Sequence, residues 1–197
     1  MTADKKPSLL LYLHGFNSSP SSHKAELMRE FCQTSRPDIR FVSPQLPVYP
    51  ESCIQYLRTL CDELSQEYQV GVVGSSLGGY LSTWLNKEYG FKAALINPAA
   101  RPFELFKDYL GPQFNPYTEE EYRLEAIHIE QLRSIDVPTI SDTASFWLLQ
   151  QKGDEVLDYR QAVDKYKGCK QTVEENGDHS FIGFERYPSA IVEFLQL

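Results

Sequence analysis

Val70-Gly71-Val72-Val73-Gly74-Ser75-Ser76-Leu77-Gly78-Gly79 holds a G-x-S-x-G pentapeptide centred on Ser76. A β-branched apolar run leads into it, and the amphipathic stretch Leu77 to Glu88 leads out. A strand that turns sharply into a helix lifts the central side chain above the sheet edge, and the flanking positions must be glycine because a Cβ there would strike the neighbouring strand or helix. Ser75 does not fit this register, since Val73 and Leu77 stand where it would need glycines. Ser76 is therefore the candidate nucleophile, against the plainer alternative of a serine that merely caps a helix.

Working outward, short apolar segments alternate with longer amphipathic ones. Leu9 to Leu13, Ile39 to Val42, Val70 to Val73, Ala93 to Ile96 and Phe146 to Leu149 read as buried strands. Ser21 to Thr34, Glu51 to Glu67, Leu77 to Glu88, Asp158 to Tyr166 and Phe184 to Leu195 have helical apolar spacing. Such alternation predicts an α/β fold, a mostly parallel sheet flanked by helices. The stretch Asn97 to Pro138 breaks the rhythm: it offers no clear strand, is interrupted by Pro102, Pro112 and Pro116, and carries the amphipathic run Glu119 to Leu132. It is expected to be a small helical insertion at about residues 101–135. With 197 residues, 42% of them hydrophobic, and no repeat or flexible linker, the chain is expected to form one domain.

A serine hydroxyl needs a base, and the base needs an orienting carboxylate; in this fold they follow the nucleophile in the order acid, then histidine. His128 and His179 are the histidines that follow Ser76. His128 lies within the expected helical insertion. His179 lies in the turn-rich loop Glu175-Asn176-Gly177-Asp178-His179-Ser180, after the β-prone piece Gln171 to Glu174, and is the candidate base. Asp154, on a Gly turn just past the strand that begins at Phe146, is the chosen acid, with Asp158 the main rival and Glu155 also near in sequence. The first strand ends in Leu13-His14-Gly15-Phe16-Asn17. There the Phe16 N–H, together with that of Leu77, is the candidate oxyanion hole. His14 precedes Ser76 and is expected to serve a loop hydrogen bond. Arg101, after the strand ending at Ile96, is a candidate to hold an anionic part of a substrate, or else a residue that fixes the insertion to the core.

The bulk properties exclude other classes. A net charge of −8 with no basic stripe argues against nucleic acid. The polar start and the short apolar run after it fit neither a signal peptide nor a membrane span, so a soluble cytoplasmic protein is expected. Cys32, Cys53, Cys61 and Cys169 lack the spacing of a disulfide framework or a zinc site, and no metal is expected.

Taken together, Leu13-His14-Gly15-Phe16-Asn17-Ser18-Ser19-Pro20, the Gly74 to Gly79 elbow, Asn97-Pro98-Ala99-Ala100-Arg101-Pro102-Phe103, Gly153 to Arg160 and the His179 loop resemble the YqiA-type bacterial esterases of the α/β-hydrolase superfamily. The likeness runs over nearly the whole chain. It implies an esterase with Ser76, Asp154 and His179 as triad, no cofactor, and a small-molecule acyl ester or acyl-CoA thioester as substrate. An acyltransferase or peptidase would use the same acyl-enzyme, and a catalytically silent protein of the same fold would only bind a ligand.

Overall fold

The computed structural model describes residues 6–197; the first residues of the polar start lie outside it. Six strands form one parallel sheet: β1 (Ser8–Leu13), β2 (Arg40–Val42), β3 (Gln69–Ser75), β4 (Lys92–Ile96), β7 (Phe146–Gln151) and β8 (Lys170–Glu174), in the spatial order β2-β1-β3-β4-β7-β8. Each pairs in parallel with its neighbours, so the helices that connect them must lie on the faces. The α/β architecture read from the sequence is the one observed, with strand and helix limits differing by a few residues.

Both faces are buried, and the period-2 alternation of β1 assigns its side chains to them. Leu9, Leu11 and Leu13 join the core under α2 (Pro50–Glu67), α3 (Leu77–Tyr89), α5 (Ala126–Ser134) and α6 (Tyr159–Lys165). Leu10 and Tyr12 join the opposite core, under α1 (His23–Ser35) and α7 (Pro188–Leu195). With no solvent face to tolerate polar residues, the inner strands read as continuous apolar runs, which is why they were legible. No helix among the described residues is long and apolar enough to cross a membrane.

The insertion after β4 has its helices, α4 (Pro102–Leu105) and α5, but between them it folds back as an antiparallel hairpin of β5 (Gly111–Asn115) and β6 (Glu120–Leu124). The expectation of a strand-free stretch is corrected here. Within the run Glu119 to Leu132, Tyr122 and Leu124 are buried while Glu121, Arg123 and Glu125 are exposed, a period of two, and helical spacing begins only at α5. Tyr80 of α3 ties the insertion down by donating a buried 2.6 Å hydrogen bond to the Leu132 carbonyl.

The loop after β1 is fixed by a buried histidine. His14 Nε2 accepts from the Leu46 N–H at 3.0 Å, so Nδ1 carries the proton and donates to the Gly15 carbonyl at 2.9 Å. This is the loop role expected for His14. Burial lowers its pKa below the ordinary 6.5, opposed by the bond to Gly15.

Two measurements follow from these contacts. Tyr80→Phe should lower unfolding free energy by about 1–2 kcal/mol in a urea titration with the denaturant slope unchanged, because Leu132 loses a buried partner. For His14, the unfolded chain takes up the proton first on acidification, so the stabilisation is complete above about pH 6.5 and is lost as pH falls through the depressed folded-state value. His14→Gln should therefore remove up to ~1.4 kcal/mol per pH unit of stability slope below pH ~6.5; the same slope in both proteins would contradict the buried neutral imidazole.

Candidate active site

β3 is flanked by β1 and β4, and the strand order reverses direction at the β1/β3 boundary, since β1 leads outward to β2 while β3 leads to β4. Ligands of open α/β sheets bind at such a switch point, outside the carboxyl ends of the strands. Leu13 pairs with Gly74 there, so the Gly15-Phe16 turn and the Ser76 turn emerge side by side.

The Ser76 turn is tight and strained. Ser76 has φ 55° and ψ −118°, outside the regions comfortable for an L side chain. Its N–H donates to the Ile96 carbonyl at 3.1 Å and its carbonyl accepts from Ala99 and Gly79 at 2.9 and 3.0 Å, which over-determine the conformation. A Cβ on Gly74 would lie 2.2 Å from Ser82 Oγ and 2.3 Å from the Gly78 carbonyl, and one on Gly78 would lie 2.0 Å from the Leu13 carbonyl. The two glycines of the pentapeptide are therefore steric necessities, as the sequence motif implied. Among the described residues, neither the Phe16 nor the Leu77 N–H is taken up by another hydrogen bond.

Asp154 and His179 meet across 25 residues of chain. His179 Nδ1 lies 2.8 Å from Asp154 Oδ2 and 3.0 Å from Oδ1, and the Asp154 side chain is wholly buried. Asp154 Oδ1 also accepts from the N–H groups of Val156 and Leu157 at 2.9 and 2.8 Å, which fix the carboxylate on its turn. The rival acid Asp158 instead caps α6, accepting from the Arg160 N–H and pairing with its guanidinium. Glu155 does neither; its carboxylate accepts the His179 N–H at 3.0 Å. His128 is a capping residue of α5, where its Nδ1 accepts the Glu125 N–H at 2.9 Å, and it packs on Tyr49.

Ser76 and His179 line one cleft of about 430 Å³, together with Tyr12, Gly15, Phe16, Lys24, Tyr117 and Glu155. No hydrogen bond joins Ser76 to His179 among the described residues. Ligand-free sites often hold such pairs beyond bonding distance. Arg101 is not in this cleft: it is 57% exposed, pairs with Glu104 at 2.8 Å and lines a separate groove with Pro98 and Asp158. Of the insertion aromatics, Phe103, Phe106 and Tyr122 are buried, and Tyr117 is the one that lines the cleft.

Supporting residues that the sequence did not single out hold the His179 loop. Asn97, fully buried at the end of β4 with φ 40°, donates from Nδ2 to the carbonyls of Asp178 and His179 at 2.9 and 3.3 Å. Its Oδ1 accepts from Gln150 and from the Gln151 N–H. Gln151 Oε1 in turn accepts the N–H groups of Asp178 and Ile182 at 3.1 and 2.9 Å. Buried amides at strand ends were the available signal, because such groups must find partners in whatever loop covers them. On the other side, Phe16 packs its ring against Phe106, Tyr109 and Tyr122, and Tyr122 donates to Asn17 Oδ1 at 2.6 Å, so the insertion clamps the Gly15-Phe16 turn.

Solved structures share this arrangement of chain. Alpha/beta hydrolase domain-containing protein 10 from mouse superposes with a TM-score of 0.72 at 17% identity, covering 98% of this chain and 92% of that one. Est1E from Butyrivibrio proteoclasticus superposes with a TM-score of 0.71 at 16% identity, covering 99% and 89%. At these identities the likeness establishes the α/β-hydrolase fold. Among sequences, UPF0227 protein PM0825 of Pasteurella multocida is 32% identical over 100 residues, 49% of this chain and 54% of that protein, so the chain spans about half the length of this and similar curated relatives. UPF0227 protein VP0969 of Vibrio parahaemolyticus is 30% identical over 192 residues, 94% of this chain and 98% of that protein. The profile described as "Uncharacterised protein family (UPF0227)" matches residues 9–196, and the chain belongs to that family.

Proposed function

We propose that the chain is a single-domain, cytoplasmic serine carboxylesterase of the YqiA type, cleaving small acyl esters or acyl-CoA thioesters through Ser76, His179 and Asp154. The observation that carries this reading is the pairing of buried Asp154 with His179 Nδ1 at 2.8 Å, on a loop that shares its cleft with the strained Ser76 turn.

With Nδ1–H donated to Asp154, the remaining ring nitrogen of His179 is unprotonated and is the base. As Ser76 Oγ attacks the acyl carbon, His179 takes its proton; the carbonyl oxygen becomes an oxyanion between the Phe16 and Leu77 N–H groups. Collapse expels the alcohol or thiol, which receives the proton from His179, and leaves the acyl group on Ser76. Water, deprotonated by His179, then attacks the acyl-enzyme; as the Oγ–acyl bond breaks, His179 returns the proton to Ser76 Oγ and the carboxylic acid is released. Asp154 stays ionised and stabilises the imidazolium in both halves.

The proposal predicts turnover of 4-nitrophenyl esters, with an acyl-length optimum set by the cleft. Ser76→Ala should lower kcat by about four orders of magnitude or more. Asp154→Asn should lower it about 10³–10⁴-fold with little change in fold, because the wrong histidine tautomer is then favoured. Asp158→Asn should act on stability and not on kcat. A wild type inert to these esters at every acyl length would point to the ligand-binding alternative.

A further inference from the structure

Part of the wall of the Ser76 cleft is made by the start of α1. Lys24 stands in the first turn of this 13-residue helix and lines the cleft with Ser22, His23 and Tyr12. Its ammonium donates at 2.8 Å to the Ser180 carbonyl, one residue past His179, and forms no ion pair among the described residues. Asp178 and Asp154 are near enough to favour its charge, yet neither comes within 4 Å of it. Asp154 is already committed to His179, and Glu155, the acid that lines the cleft, is engaged by the His179 N–H. Desolvation pulls the Lys24 pKa down to about 8 against the opposing pull of Asp178 and Asp154, so burial outweighs the acids around it.

Three buried polar atoms near Lys24 have no hydrogen-bond partner: the hydroxyls of Tyr12 and Ser22, and Asp178 Oδ1. The Tyr12 hydroxyl, on a side chain 0% exposed, has no hydrogen-bond partner, although the hydroxyls of Ser22 and Ser75 lie near it. Burial raises the Tyr12 pKa, so it remains a neutral donor. Ser22 occupies the N-cap of α1 but its side chain makes no capping bond, and its buried Oγ is likewise unpartnered. A helix N-terminus adds open N–H groups and a partial positive charge. Buried polar groups are seldom left unpaired, and a desolvated cation is costly unless an anion accompanies it.

We propose that Lys24, with Tyr12 and Ser22, forms a carboxylate subsite that makes the enzyme selective for esters bearing a negative charge. The subsite rests on the esterase reading above and adds the substrate class. A monoanion fits better than a phosphate dianion: one ammonium balances one charge, Glu155 lines the same cleft, and Asp154 and Asp178 already act on Lys24. Lys24 is thus a specificity-determining residue that touches substrate away from the reacting atoms.

The test compares matched charged and neutral esters. Mono-4-nitrophenyl glutarate against 4-nitrophenyl pentanoate places the carboxylate on the acyl side; 4-acetoxybenzoate against 4-acetoxybenzamide places it on the leaving group. For one pair, wild type should favour the anionic member, and Lys24→Met should lower the anionic-to-neutral ratio of kcat/KM about ten-fold or more, through KM. Lys24→Arg should keep most of the preference. An equal loss on both members would mean that Lys24 only holds the Ser180 carbonyl and the His179 loop, and would overturn the subsite. A wild-type preference for the neutral member in both pairs would overturn it too. Ser76-dependent hydrolysis of the neutral esters with an unmoved ratio would remove the subsite and leave the esterase; no hydrolysis of either pair by wild type would remove both.

Discussion

The close approach of β1 to the start of α3 is the constraint on which the site depends. Leu13 pairs with Gly74, and the Leu13 carbonyl lies where a Cβ of Gly78 would be, so the two chain segments meet backbone to backbone. A side chain at either glycine would separate them. That separation would pull the Gly15-Phe16 turn away from Ser76, whose own Cβ lies within 3.2 Å of where a Gly15 Cβ would stand. The strained φ of Ser76 is held by its bonds to Ile96, Ala99 and Gly79, and a strain of this kind costs about 1–3 kcal/mol.

The opposite wall solves a different problem. His179 sits on an irregular loop of 175–183, and loops carry their backbone polar groups into the interior at a cost unless partners are supplied. Asn97 and Gln151, at the ends of β4 and β7, supply them, so the imidazole is positioned by the sheet and not by the loop itself. Gly153 permits this: a Cβ there would lie 2.1 Å from the Gly177 carbonyl. The insertion does the same for the Phe16 turn through Phe106, Tyr109 and Tyr122. Sheet ends, loop amides and insertion thus converge on the three side chains from different directions.

How much of this was legible depended on the range of the interaction that carries it. Ser76 was legible because the elbow is a local steric demand written in neighbouring glycines. The places of Asp154 and His179 were legible because Asp154 follows a strand that reads as buried and His179 follows a β-prone piece in a turn-rich loop. The β5–β6 hairpin was not, because β6 runs almost directly into α5, and the helical spacing of α5 was carried back over residues 120–124, where the chain is extended. Arg101 was ambiguous in sequence, and a partner three residues along its own helix takes its charge. Lys24 gave no sign at all. It reads as the polar face of an amphipathic helix, and only the fold brings it to a carbonyl 156 residues away.

The central claim, that Ser76 is a nucleophile activated by the Asp154-oriented His179, is tested most directly by mapping the site of covalent phosphonylation. After treatment with a fluorophosphonate, peptide mass spectrometry should find one adduct, on Ser76, formed at least a hundred-fold more slowly in His179→Ala. An adduct on Ser75, on Ser22 or on Tyr12 in its place, or a Ser76 adduct that forms as fast without His179, would contradict the account.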